Sequence, residues 1–169
     1  MRPFLFLCVA ASAFGADVSN LGIGELAKPG EAVEVAQVPA RAAAAYAGVG
    51  SAPTVFRLSD VPFLAPDRKE KLDLYYPAGS FRPDRAAVVF IHGGGFTGGD
   101  KAEYRSASVS ADLCRAGYVV VSCNYVLGSK SKPGVWPQNI ADCRDAVRWV
   151  RAHAKELGVV PGQIGRAHV

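Results

Sequence analysis

No stretch of this sequence carries a run of like charges. Its 19 Lys and Arg against 15 Asp and Glu leave a formal charge of +4, spread along the chain. A nucleic-acid footprint needs clustered basic residues, so no nucleic-acid partner is expected. There is no Cys-x-x-Cys and no cluster among the three histidines, so neither a metal site nor a cofactor is expected. Gly-x-x-x-x-Gly-Lys-Ser/Thr is absent as well, which argues against a protein that cradles a phosphate in a glycine loop. No apolar run reaches the roughly 20 residues of a membrane helix, so no span is expected in the mature chain. Cysteine is sparse. Cys114, Cys123 and Cys143 follow Cys8, and three cannot pair off within one chain. Cys123 lies in an apolar run and Cys143 on the apolar stripe of a helix, so buried free thiols are expected.

What is present begins with a leader-like segment. Arg2 is a short basic region, Pro3 to Ala11 is apolar, and Ala13-Phe14-Gly15 puts small residues where a signal peptidase reads. Residues 1–15 are therefore expected to be a signal peptide, and the protein to be secreted or periplasmic. Residues 16–53 are punctuated by Gly22, Gly24, Pro29, Gly30, Pro39, Gly48, Gly50 and Pro53, and read as an extension or linker in which the alanine-rich Arg41 to Ala47 is expected to make about two helical turns.

Order is expected from Thr54. Lys71 to Tyr76 alternates polar and apolar and stops at Pro77, the pattern of a half-buried strand near a sheet edge. Ala86 to Ile91 is a continuous apolar run, as in a strand buried under helices. Asp100 with Glu103 has the spacing of a capping box, so a helix is expected from there to about Ala116, stopped by Gly117. Tyr118 to Tyr125 reads as a second buried strand. Ile140, Cys143, Val147, Val150, Ala154 and Leu157 make one apolar stripe of a long helix that Gly158 is expected to end. Asp142 and Asp145 near its start and Arg148, Arg151 and Lys155 near its end suit the helix dipole. Alternating strands and helices predict an α/β sheet with right-handed crossovers.

The rest is organised around Val88 to Asp100, an apolar strand running into His92-Gly93-Gly94-Gly95-Phe96-Thr97-Gly98-Gly99. Glycines let the main chain approach a ligand and adopt positive φ. Main-chain N–H groups freed there can stabilise an oxyanion. The stretch resembles the HGGG-type oxyanion loop of the esterase and lipase group of α/β-hydrolases, the carboxylesterase and feruloyl-esterase type. Leu72-Asp73-Leu74-Tyr75-Tyr76-Pro77 before it, Asn124-Tyr125 after it, Trp136-Pro137, and Asp142 to Arg151 carry the likeness further. Together they span residues 54–163 as the N-terminal part of such a domain.

The resemblance implies a serine hydrolase that cleaves carboxylic esters through an acyl-enzyme, with a small-molecule ester as substrate. It implies that Gly94 and Gly95 supply the oxyanion N–H groups, that His92 and Gly93 are structural in the loop, and that Phe96 lines the acyl or alcohol pocket. Val126 departs from the Arg that many relatives carry after the Asp/Asn-Tyr pair. The family also needs a Gly-x-Ser-x-Gly elbow, an acid and a histidine, and no Gly-x-Ser-x-Gly occurs in the 169 residues. His153 and His168 do not stand where the triad histidine would. The chain is therefore read as truncated before its nucleophile and inactive, with no catalytic residue of the triad present. Ile164 to Val169 can be encoded by a string found in a sequencing adapter, so 164–169 are expected to be a non-native tail. A peptidase of the prolyl-oligopeptidase type and a non-catalytic binding relative are the alternative readings.

Overall fold

Residues 55–62 and 71–77 illustrate how the sheet is built. They form strands β2 (Val55–Pro62) and β3 (Lys71–Pro77), antiparallel, with Leu58 opposite Leu74. The computed structural model describes residues 19–47, 54–79, 81–129, 131 and 135–168. The expected signal peptide lies outside them.

Before these strands come β1 (Ile23–Glu25) and helix α1 (Val38–Ala47). After them come β4 (Arg85–Ile91), α2 (Tyr104–Arg115), β5 (Val119–Cys123), α3 (Gln138–Ala152), α4 (Ala154–Leu157) and β6 (Val159–His168). The described strands form one sheet in the order β1-β2-β3-β5-β4-β6. β4 is parallel to both β5 and β6, whereas β3 is antiparallel to β2 and β5. One apolar core holds Leu72, Leu74, Val89, Val121, Ala146, Val150 and Leu157. A second holds Val55, Tyr75, Phe90, Ala111, Cys114 and Val120 on the α2 side.

Four expectations change. The extension or linker at 16–53 holds β1 and α1, and both are packed. Leu26, Val38 and Ala42 are buried, Leu26 N–H donates to Arg57 C=O, and Arg57 donates to Glu25 at 2.8 Å. β3 is central rather than near an edge, with Leu72 to Pro77 all buried. Its polar–apolar alternation comes from Asp73, which is buried against a lysine instead of facing water. α2 begins at Tyr104 and not at Asp100, for reasons given below. The long helix forms, but Asn139, Asp142, Ala146 and Val150 are its most buried line. It turns at His153 before α4, and Gly158 ends it at φ +67°.

Ile164 to His168 lie in β6, in register with Ala87 to Ile91 of β4. These ladder bonds are made by the main chain. Of the side chains, Ile164 and Ala167 are half-buried and the others exposed.

Candidate oxyanion site at the end of strand β4

β4 delivers the chain to His92 at the carboxyl ends of the parallel strands, where open α/β sheets bind ligands. His92 is fully buried. Its ring stacks on that of Tyr125 at 4.5 Å between centroids and 14° between planes. The Tyr125 hydroxyl donates to His92 C=O at 2.8 Å. Burial pushes that phenol up to about 12. His92 Nδ1 meets Gly93 C=O at 2.8 Å, which places the ring proton on Nδ1. Nε2 is buried without a partner among the described residues.

The three residues after Gly93 all have positive φ: Gly94 +116°, Gly95 +60° and Phe96 +63°. Gly94 C=O turns into the loop and accepts from Thr97 N–H and Gly98 N–H, each at 3.1 Å. Across a trans peptide, C=O and the next N–H point in opposite directions. Gly93 C=O faces the His92 ring and Gly94 C=O faces the loop interior. The N–H groups of Gly94 and Gly95 therefore point away from both. Neither has an acceptor among the described residues, and both glycines are exposed.

Phe96 is 47% exposed and meets Tyr125 edge-on at 6.4 Å. Left-handed φ costs a side-chain-bearing residue about 1–2 kcal/mol. It is held there by Gly128 N–H donating to Phe96 C=O at 2.8 Å. Two glycines are also required by space. A Cβ on Gly94 would lie 2.2 Å from Gly98 C=O, and one on Gly99 2.3 Å from Gly93 C=O.

Asp100 does not cap α2. Its Oδ1 accepts from Ala102 N–H at 2.7 Å, closing a turn, and its Oδ2 accepts from Asn124 Nδ2 at 2.8 Å. Gly93, Gly95 and Gly98 do fall at Gly-x-Gly-x-x-Gly spacing. A dinucleotide fingerprint needs a helix to open directly from that loop. Here Asp100–Glu103 intervene before Tyr104.

Sequence reasoning missed Asp142 as an anchor. It is fully buried and accepts from Arg68 (Nη2 at 2.6 Å, Nη1 at 3.1 Å), from Gln138 Nε2 at 2.9 Å and from Val126 N–H at 2.9 Å. The loop after β5 is thus anchored through the main chain of Val126, with the guanidinium coming from Arg68. Only the unusual pairing of a core position with Asp could have signalled it. It missed Lys101 and Asp73 for the same reason.

His168 is exposed beside Ile91, and His153 is taken up by Glu156 at 2.7 Å and by the Trp149 ring. All three described cysteines are free, but Cys143 is half-buried rather than buried. The Cys123 thiol donates to Phe90 C=O at 3.7 Å, and its closeness to Cys143 holds the Cys143 thiol below its ordinary value. Among the described residues, no group of three or more His, Cys, Asp or Glu could hold a metal ion, and no helix is long and apolar enough to cross a membrane.

Comparison with known proteins gives a consistent set of likenesses. The model of the BD-FAE family matches residues 72–166. Lipase 2 of Moraxella sp. (strain TA144) is 32% identical over 81 residues, 48% of this chain and 18% of that protein. Esterase LipI of Mycobacterium tuberculosis is 35% identical over 92 residues, 50% of this chain and 26% of that protein. The chain thus spans only about a fifth to a quarter of these curated relatives. Among solved structures, the thermophilic esterase Est2 of Thermogutta terrifontis has a TM-score of 0.56 at 34% identity, over 65% of this chain and 39% of that one. A bacterial heroin esterase has a TM-score of 0.55 at 29% identity, over 68% and 34%.

Proposed function

The chain belongs to the BD-FAE family and carries part of an α/β-hydrolase fold, and from that premise we propose that it supplies the oxyanion side of a carboxylic ester hydrolase. The observation that carries the reading is the pair of outward N–H groups on Gly94 and Gly95 at the end of β4. In acyl transfer, a nucleophile adds to the ester carbonyl and the oxygen becomes negative. Two fixed N–H donors stabilise that charge as it forms, each worth about 3–4 kcal/mol. Rigidity matters here, because donors that need not reorganise stabilise the transition state more than the substrate.

His92 and Gly93 act as structural members of the loop. His92 is wedged under it and offers no exposed ring nitrogen. Phe96, exposed beside the donors, lines the acyl or alcohol pocket. The nucleophile is a serine working through an acyl-enzyme. No Gly-x-Ser-x-Gly is present in these 169 residues, so the triad belongs to residues outside them. The 169-residue chain is then inactive by itself. Arg2 followed by the apolar Pro3 to Ala11 supports export from the cytoplasm.

The test has two parts. The 169-residue chain is assayed on a short-chain aryl ester, and turnover above background would overturn the placement of the nucleophile. The coding sequence beyond codon 163 is then read, and any product with Gly-x-Ser-x-Gly is expressed and assayed in the same way. Ester turnover supports the proposal. A folded product with that elbow and no turnover would sink it.

A further inference from the structure

Lys101 is tied down at every polar atom it has. Its ammonium lies 2.7 Å from Asp73 Oδ1 and 2.9 Å from Asp60 Oδ1. Its N–H donates to Asn124 Oδ1 at 2.7 Å, and its C=O accepts from the Ser122 hydroxyl at 2.9 Å. The receiving groups belong to the sheet. Asp73 is in the middle of β3, directly opposite Ser122 of β5. Asp60 sits at the β2 bulge, and its own N–H donates to Asp73 Oδ1 at 3.0 Å.

Asp73 and Lys101 are both buried, Asp73 completely. Burying two charges is expensive, and a well-packed apolar pair commonly serves stability as well or better. Stability alone is therefore a poor reason for this pair. Geometry is a better one. From Lys101 the chain runs back through Asp100, held by Asn124 Nδ2 at 2.8 Å, to Gly99, packed without room for a Cβ against Gly93 C=O and the His92 ring. Gly98 N–H then donates to Gly94 C=O. That carbonyl shares its peptide plane with the Gly95 N–H. A displacement at Lys101 thus reaches an oxyanion donor through a short, continuous set of fixed contacts.

We propose that Lys101 is a positioning residue of the oxyanion loop: its ammonium, clamped between Asp73 and Asp60, sets the direction in which the Gly94 and Gly95 N–H groups point. What those N–H groups do rests on the function proposed above. That they are aimed by Lys101 can be tested without turnover.

The experiment uses the isotope-labelled 169-residue chain and NMR of its amides. The variants are Lys101→Met, Lys101→Arg, Asp60→Asn and Asp60→Gly. In Lys101→Met, the Gly94 and Gly95 resonances shift and Gly98 N–H exchanges at least about tenfold faster, the equivalent of one lost hydrogen bond. Core amides such as Val120 keep their protection. Lys101→Arg restores slow exchange at Gly98. Asp60→Asn, which takes the charge from one of two partners and keeps the buried pair, gives a smaller change of the same sign, and Asp60→Gly, which removes that partner at a positive φ glycine tolerates, a larger one.

Unchanged glycine resonances and Gly98 exchange in a folded Lys101→Met chain would overturn the proposal. So would a uniform loss of protection across the core that Lys101→Arg fails to restore, since that is a merely structural role. If Lys101→Met does not fold, Asp60→Gly decides: no change at Gly98 overturns it. A failure of ester turnover in the longer product would count against the proposed function and leave this result standing.

Discussion

Tyr125 holds His92 in two independent ways, by a hydroxyl that donates to the His92 carbonyl at 2.8 Å and by a ring that stacks on the imidazole at 4.5 Å. Tyr125→Phe separates them. It keeps the stack and removes the hydrogen bond, so a loss of about 1 kcal/mol in urea denaturation is expected. The pH dependence follows from the raised phenol. Its folded value, about 12, lies above the ordinary 10, so its contribution is fully present below 10 and is lost as pH rises toward 12. Tyr125→Phe should flatten that part of the alkaline stability profile. A variant whose profile still falls as steeply there would contradict the assignment.

The glycine loop makes two matched substitutions unequal. Gly94→Ala needs a Cβ 2.2 Å from Gly98 C=O, and main chain cannot swing aside as a flexible side chain would. Gly95→Ala meets nothing within 4 Å and bears only the left-handed φ. A cost of about 1 kcal/mol is expected for Gly95→Ala and about 2–3 kcal/mol or more for Gly94→Ala. Chemical denaturation of the two variants side by side checks the order.

How much of this was readable beforehand depends on how local each signal is. The strand–glycine loop was legible because apolar runs and missing Cβ atoms act on their own residues. β4, β5 and the stops at Gly117 and Gly158 were legible for the same reason. β1 was not, because no periodicity marks residues 23–25, and of α1 only the alanine-rich stretch 41–47 was. They are held by distant partners, such as Arg57 for Glu25. Asp100 with Glu103 fits a capping box by spacing, yet the Asp100 carboxylate is claimed by Asn124, 24 positions away in sequence. Asp142 suited the helix dipole, and only the fold shows Arg68 reaching it from 74 positions away. Polar residues at core positions were the common failure: a pattern of apolar and polar residues cannot tell a charge facing water from one facing its partner.

That Arg68–Asp142 pair carries its own prediction. Asp142 is wholly buried, and removing its guanidinium leaves an uncompensated carboxylate in the core. Arg68→Met should therefore cost about 3 kcal/mol, the low end for a broken buried pair because Arg68 itself is partly exposed. Arg68→Met combined with Asp142→Leu should recover part of the loss. A double-mutant cycle by thermal or urea denaturation measures the coupling, and additive losses would mean that the pair does not interact.

The three described thiols should differ sharply in reactivity. Only the thiolate attacks an alkylating reagent. Burial pushes the Cys114 thiol up to about 12, and the neighbouring Cys143 thiol together with burial pushes Cys123 up as well. Cys143 is half-buried, and its neighbour Cys123 holds it down. Iodoacetamide at neutral pH should thus label Cys143 first, as read by peptide mass spectrometry over time. Cys123→Ala removes that neighbour, so the Cys143 pH profile should move upward and its rate at neutral pH should fall. Equal labelling of Cys114 and Cys143 would show that the packing around α2 and α3 is not as described. An unchanged Cys143 rate in Cys123→Ala would show instead that Cys123 does not hold the Cys143 thiol down.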